Sequence, residues 1–285
     1  MTGVAIASRH FWFILTGPGT KKQSPLYSAM VTAMVTSYST NVRKRLTDRG
    51  RVRPPNMVRI GIAMLQGARH EHCEAIQHAA LEMNVDIEIV ELRKKSELDS
   101  TIQGLILPGG ESTTMRIASQ SESLLDGIFD WISNHPKRPV LGTCAGAILL
   151  ANPGKNHTQF IDLEVSRNAW GRQRFSFEAP VNVSLKTPEI IHEAHFEIGR
   201  DKYNHKPLPM SKQAANMTNE SFTGIFIRAP RFIEESIRCE KVATLENETV
   251  GVLQGSKLAL TFHPELTNDR RFHRWLISQV MDNKS

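Results

Sequence analysis

From residue 57 onward, short apolar runs alternate with stretches of helical spacing. Val58-Arg59-Ile60-Gly61-Ile62-Ala63-Met64 is one such run; it ends in Gln66-Gly67 and predicts a buried strand. Residues 72–83 then set Ile76, Ala79, Ala80 and Met83 at helical spacing, and 85–90 read as a strand. Leu105-Ile106-Leu107 predicts another buried strand, closed by Pro108-Gly109-Gly110. A helix follows from about Thr113, and the helical pattern resumes over 124–132. Pro139-Val140-Leu141-Gly142 is a strand running into Cys144, and 145–151 is an apolar helix. Strands alternating with helices of this length predict an α/β fold: a doubly wound, mostly parallel sheet flanked by helices. The later half is richer in strands, at 181–185, 224–227, 241–245, 249–254 and 257–262. An amphipathic helix over 272–281 closes the chain, and no internal repeat is visible.

Two segments break the pattern. Residues 1–56 hold twelve Ser/Thr and end on a Pro54-Pro55 break, with no clean helical or strand period. They are expected to be a basic, disordered extension, with the folded domain spanning 57–285. Residues 186–221 are polar, carry His192, His195 and His205, and read as a surface insertion in that domain. Charge separates the extension from the body. The whole chain carries +6, which alone would suggest a nucleic-acid or membrane partner. Yet residues 1–56 hold nine basic residues against the single acid Asp48, and the remainder holds 26 basic and 28 acidic residues. The body is thus slightly acidic, and no nucleic-acid partner is expected. An acid-poor, Ser-rich leader also fits an organellar transit peptide; the other reading is an extended start with Met57 as functional initiator. No apolar run reaches the roughly 18 residues a membrane span needs, so no membrane partner is expected. Cys73, Cys144 and Cys239 form neither a C-x-x-C pair nor a disulfide ladder, which favours a reducing, cytoplasmic setting.

Gly142-Thr143-Cys144-Ala145-Gly146, between a strand and an apolar helix, is the strongest chemical signal. It is a G-x-C-x-G nucleophile elbow, in which flanking glycines allow a strained turn that pushes the thiol outward. The helix N-terminus after it favours a thiolate and offers N–H groups to an oxyanion. The plainer reading is a buried cysteine in a tight turn. A thiolate nucleophile needs a base, and the base an orienting acceptor. Phe262-His263-Pro264-Glu265, at a strand end, supplies both, since residues two apart in extended chain face one side. Pro108-Gly109-Gly110-Glu111-Ser112, at another strand end, brings backbone N–H groups to a bound anion or oxyanion. It is no P-loop, because no Lys follows the glycines. His70, Glu71, His72, Cys73 and His78 lack a second ligand pair, and a helix spreads them around its circumference, so no metal site is expected.

Six blocks together resemble the glutaminase subunit of pyridoxal 5′-phosphate synthase, in the class I glutamine amidotransferase family. They are Leu65-Gln66-Gly67-Ala68, Pro108 to Thr114, Gly142 to Gly146, Arg167-Asn168-Ala169-Trp170-Gly171-Arg172-Gln173, Phe226-Ile227-Arg228-Ala229-Pro230 and Phe262-His263-Pro264-Glu265-Leu266. Elbow and triad are common to the class, while the blocks around Glu111, Arg167 and Arg228 are narrower. The resemblance implies a flavodoxin-like class I amidotransferase fold and hydrolysis of L-glutamine to glutamate and ammonia without a cofactor. It implies Cys144 as nucleophile, His263 as proton carrier and Glu265 as its orienting acceptor. Backbone N–H groups near Gly110 and Ala145 would form the oxyanion hole. Gly110, Glu111, Ser112, Arg167, Ile227 and Arg228 would hold glutamine, with the choice between the two arginines left open. The implied partner is a synthase subunit that receives the ammonia in a heteromeric complex. Residues 1–56 and 186–221 depart from the compact bacterial members, the latter in the manner of fungal ones, and Trp170 stands where another apolar residue is usual. The rival readings are a glutaminase for another amidotransferase, such as imidazole-glycerol-phosphate synthase, and a non-catalytic interaction subunit retaining the fold.

Overall fold

A computed structural model describes residues 57–167, 176–191 and 221–283. The extension 1–56, the block 168–175 and residues 192–220 of the expected insertion lie outside the described residues. The described residues open with β1 (Val58–Ala63), α1 (Arg69–Glu82), β2 (Ile87–Leu92) and β3 (Gly104–Leu107). It continues through α2 (Ser112–Ser119), α3 (Leu124–Asn134), β4 (Val140–Thr143) and α4 (Ala145–Ala151). Then come the two-residue β5 (Val165–Ser166), β6 (Phe177–Val183), β7 (Ser221–Phe226) and two-residue β8 (Arg231–Phe232). The hairpin strands β9 (Glu240–Leu245), β10 (Glu248–Gln254) and β11 (Lys257–Leu260) precede the closing helix α5 (Arg271–Asp282).

Among the described residues nine strands form one sheet in the order β2-β1-β3-β4-β11-β10-β9-β6-β7. From β2 to β11 the neighbours are parallel; from β11 to β7 they are antiparallel. Connection length explains the change. Two-residue links, Glu246-Asn247 and Gly255-Ser256, join β9 to β10 and β10 to β11, and such links permit only hairpins. Glu246 and Gly255 take the positive φ those turns need. β5 and β8 make a separate ribbon that two residues of pattern cannot announce.

The strands β1, β3, β4 and β11 are buried on both faces, hence their continuous apolar runs, while the edge strand β2 is half-buried. Ile60, Ile62, Ile106, Leu141, Leu258 and Leu260 pack on one side with Ile76 and Ala79 of α1 and Phe272, Leu276 and Ile277 of α5. Leu105, Leu107, Val140 and Ala259 turn the other way, onto Met115 of α2, Ile128 and Phe129 of α3 and Leu149 of α4. Helices therefore cover both faces. The chain reverses direction across the sheet between β1 and β3, the kind of switch point where α/β sheets bind ligands.

Two expectations shift for local reasons. β2 starts at Ile87 rather than Val85 because α1 ends in a Schellman motif: Asn84 is left-handed (φ 53°), and Val85 N–H donates to Ala80 O at 2.8 Å. β6 starts earlier than 181 and includes Pro180, which pairs with Thr223 of β7 at a level where β9 pairs only with Asn182 and Val183. The charged run Asp269-Arg270-Arg271 leads into α5. Arg270, Arg271 and Arg274 are all buried. Arg270 and Arg274 donate to the two carboxylate oxygens of buried Glu82 at 2.9 and 2.6 Å. Among the described residues no helix is long and apolar enough to cross a membrane.

Candidate active site

Four loops at the carboxyl ends of adjacent parallel strands converge: Gln66-Gly67 after β1, Gly109-Gly110 after β3, Cys144 after β4 and His263 after β11. Cys144 sits at φ 49°, ψ −105°, outside the regions an L-residue prefers. The turn is held from below, where Cys144 N–H donates to Leu260 O at 2.8 Å. Close packing explains the downstream glycine of the elbow. A Cβ on Gly146 would lie 2.0 Å from the carbonyl oxygen of Leu107, so α4 can press against β3 only without a side chain there.

The Cys144 side chain is buried and its Sγ lies 3.9 Å from Ile227 O, in the turn after β7. That turn continues into Arg228, which is exposed and left-handed at φ 45°. His263 is fixed from two directions. Its N–H donates to Ile225 O at 2.9 Å, and preceding Phe262 is locked among Phe222, Phe226 and Phe272 with ring centroids 5.4 to 5.6 Å away. The His263 ring lies beside Cys144, both side chains facing Gly109, and its Nδ1 meets Glu265 Oε1 at 2.7 Å. The contact does not come from strand alternation as expected, because β11 ends at Leu260 and Glu265 lies in a 3₁₀ turn (Pro264–Leu266). Gly109 closes the group: a Cβ there would lie 2.3 Å from His263 Cε1 and 3.2 Å from Cys144 Cβ.

Electrostatics follow from this packing. Burial alone would depress the His263 imidazole, but the Glu265 carboxylate and the neighbouring Cys144 outweigh it and raise it to about 10. Burial would likewise push Glu265 up, yet His72 and His263 hold its carboxyl below the ordinary range. His72, weighed from sequence only within a discarded metal cluster, belongs to this centre instead. It is fully buried, with Nε2 at 3.3 Å from Glu265 Oε2 and 3.0 Å from Thr143 Oγ1, and Nδ1 at 3.0 Å from His273 Nε2. Its only sequence signal was a histidine on the apolar face of α1. No group of metal-ligating side chains is assembled among the described residues.

The remaining candidates surround this centre. Glu111 accepts from Thr113 N–H and Thr114 N–H at 3.0 and 2.6 Å and from Thr114 Oγ1 at 2.7 Å, capping α2. The Thr114 hydroxyl and the two backbone donors hold its carboxyl down to about 2. Its own N–H donates to Gln66 Oε1 at 3.1 Å, a link between the β1 and β3 loops that sequence reasoning did not single out. Ser112 is buried at the start of α2. Ala145 opens α4, where a first-turn N–H has no partner within its own helix. Arg167 is exposed just beyond β5, and its charge, after burial, depresses the guanidinium of Arg116 on α2. Arg116 is itself tied to the carbonyls of Asn152 and Pro153.

A family model, the SNO glutamine amidotransferase family, matches residues 62–193 and 203–282. The chain belongs to this family. All ten candidate site residues fall inside the matched ranges. "Pyridoxal 5′-phosphate synthase subunit PdxT" of Pyrococcus furiosus is 35% identical over 232 residues, covering 79% of this chain and 100% of that one. The subunit of the same name from Dictyoglomus turgidum is 35% identical over 230 residues, with the same coverage. A solved structure described as a glutamine amidotransferase superposes with a TM-score of 0.56 at 32% identity, covering 78% of this chain and 98% of that one. The SNO family membership agrees with the resemblance drawn from the motifs and with the α/β architecture.

Proposed function

We propose that this chain is the glutaminase subunit of a pyridoxal 5′-phosphate synthase, hydrolysing L-glutamine and passing the ammonia to a synthase subunit in a heteromeric complex. The observation that carries the reading is a strained, buried Cys144 beside His263, whose ring is bonded to Glu265 at 2.7 Å. The relatives' shared name favours the pyridoxal phosphate system over the imidazole-glycerol-phosphate one.

In this reading Cys144 Sγ attacks the side-chain carboxamide carbon of glutamine, its proton residing on His263. The carbonyl oxygen becomes an oxyanion that the N–H groups of Gly110 and Ala145 receive. Collapse breaks the C–N bond, and His263 gives its proton to the departing nitrogen, which leaves as ammonia. His263 then takes a proton from water, whose oxygen attacks the thioester to release glutamate and restore Cys144. Glu265 keeps the imidazole aimed and stabilises its charged form. Glutamine would lie against Gly110, Ser112 and Ile227, with Glu111 near its ammonium and Arg167 or Arg228 near its carboxylate. The depressed carboxyl of Glu111 suits a cationic neighbour. The chemistry calls for no cofactor. Cys73, Cys144 and Cys239 form no disulfide among the described residues, which suits a reducing compartment, and we assign the enzyme to the cytoplasm.

Ammonia release from glutamine, measured for the pure protein and again after adding a pyridoxal 5′-phosphate synthase core, tests this. The core should stimulate release, and Cys144→Ala should lower it by at least about 1,000-fold with the fold intact. Indifference to the core, or activity surviving the alanine change, would overturn the reading.

A further inference from the structure

The carboxylate of Glu265 is fully buried and has two oxygens, of which His263 engages one. The other, Oε2, has no aligned hydrogen bond among the described residues; the imidazole of His72 faces it at 3.3 Å. An anionic oxygen in so dry a place needs a donor, or the carboxyl takes up a proton and ceases to serve an imidazolium. His72 is set for that task by two neighbours from separate elements, Thr143 at the end of β4 and His273 on α5.

Hydrogen-bond accounting selects the tautomer. With its proton on Nε2, His72 donates toward Glu265 Oε2 and Thr143 Oγ1, while Nδ1 accepts from His273 Nε2–H. The cost is then a bare lone pair on His273 Nδ1, which is buried and unpartnered among the described residues. The opposite tautomer turns a lone pair of His72 toward the carboxylate and leaves a buried N–H of His273 without an acceptor, which is worse on both counts. Burial keeps both rings neutral. For His72, desolvation outweighs the attraction of Glu265 and is joined by repulsion from His263; for His273, burial is joined by His72, Arg270 and Arg274.

We propose that His72 is a positioning residue of the glutaminase centre, its Nε2–H holding the second oxygen of Glu265 so that the carboxylate stays ionised and aimed at His263, with His273 fixing the tautomer. The proposal rests on the triad reading above. It also ties the acidic end of the triad to the nucleophile, because Thr143, which shares the His72 proton, directly precedes Cys144.

The test uses the full chain with a synthase core and steady-state glutamine hydrolysis. His72→Leu removes both ring nitrogens, His72→Asn places an amide nearer the Nδ1 position, and His72→Gln places one nearer Nε2. The leucine and asparagine variants should lose about 10- to 100-fold in kcat with KM for glutamine changed less than about twofold, and the glutamine variant should recover most of the loss. A merely structural role would not distinguish Gln from Asn. The inference fails if kcat is unchanged across the series, or if Asn rescues and Gln does not. Should the variants not fold, the histidine ¹⁵N shifts of the unmodified protein decide: a Nε2–H tautomer at His72 is expected, and a Nδ1–H tautomer or a cation overturns the idea. Glu265→Gln is assayed alongside. If it keeps full activity, the triad reading itself fails; if it collapses while the His72 series stays flat, only the present inference does.

Discussion

Cys144, His263 and Glu265 each occupy a state that would be unfavourable alone: a strained backbone, a buried imidazolium and a buried carboxylate. They are tolerable together because each supplies what its neighbour lacks. This makes stability depend on pH in a definite direction. His263 is raised from 6.5 to about 10 on folding, so its contribution is complete below pH about 6.5 and is lost as pH rises toward 10. Glu265 is depressed from 4.5, so its contribution is present above pH about 4.5 and is lost as pH falls through the folded value. The pair therefore stabilises most between these limits. His263→Asn should be less stable than the unmodified protein at pH 6, and the gap should narrow by up to about 1.4 kcal/mol per pH unit on going toward pH 10. Urea unfolding at a series of pH values reads this directly. A gap that stays flat or widens would mean that His263 is not charged in the folded state.

At the scale of elements, α1 and α5 pack together on one side of the sheet, carry His72 and His273 behind the triad, and add a buried ionic contact to their apolar junction. Glu82 near the end of α1 is gripped by Arg270 and Arg274, all with side chains no more than 10% exposed. Removing the acid leaves two buried guanidiniums facing each other, so Glu82→Ala should cost about 3–5 kcal/mol. A fall in the urea midpoint with an unchanged m-value would show it. A loss below about 1 kcal/mol would mean that the pair behaves like a surface bridge. The same junction marks where sequence reading stops. Periodicity located both helices within a few residues, because the apolar stripe Ile76, Ala79, Ala80 repeats at local spacing. It gives no sign that Glu82 meets residues 188 and 192 positions away. The elbow around Cys144 was legible because glycine flanks answer a local steric demand. His72 was not, because a buried histidine on an apolar face looks alike whether or not a carboxylate lies behind it. Its partners Thr143, Glu265 and His273 come from three other elements.

For the molecule as a whole, charge and homology divide the chain at nearly the same point. Residues 1–56 carry nine basic residues and one acid, whereas the remainder carries 26 basic and 28 acidic. The family match begins at 62 and pauses only between 193 and 203, inside the expected 186–221 insertion. The Pyrococcus furiosus subunit is matched over its entire length by 79% of this chain. A complete relative thus corresponds to the part that follows the basic segment, and all the groups assigned to the site lie between His72 and His273. Removing residues 1–56, so that the chain starts at Met57, should leave glutamine hydrolysis with the synthase core within about twofold of the full chain. It should also change the net charge from +6 to −2, so that the shortened protein no longer binds a cation exchanger at pH 7. If ammonia release collapses while the shortened chain unfolds at an unchanged urea midpoint, the basic segment acts in partner engagement or catalysis. If release and midpoint fall together, it belongs to the fold.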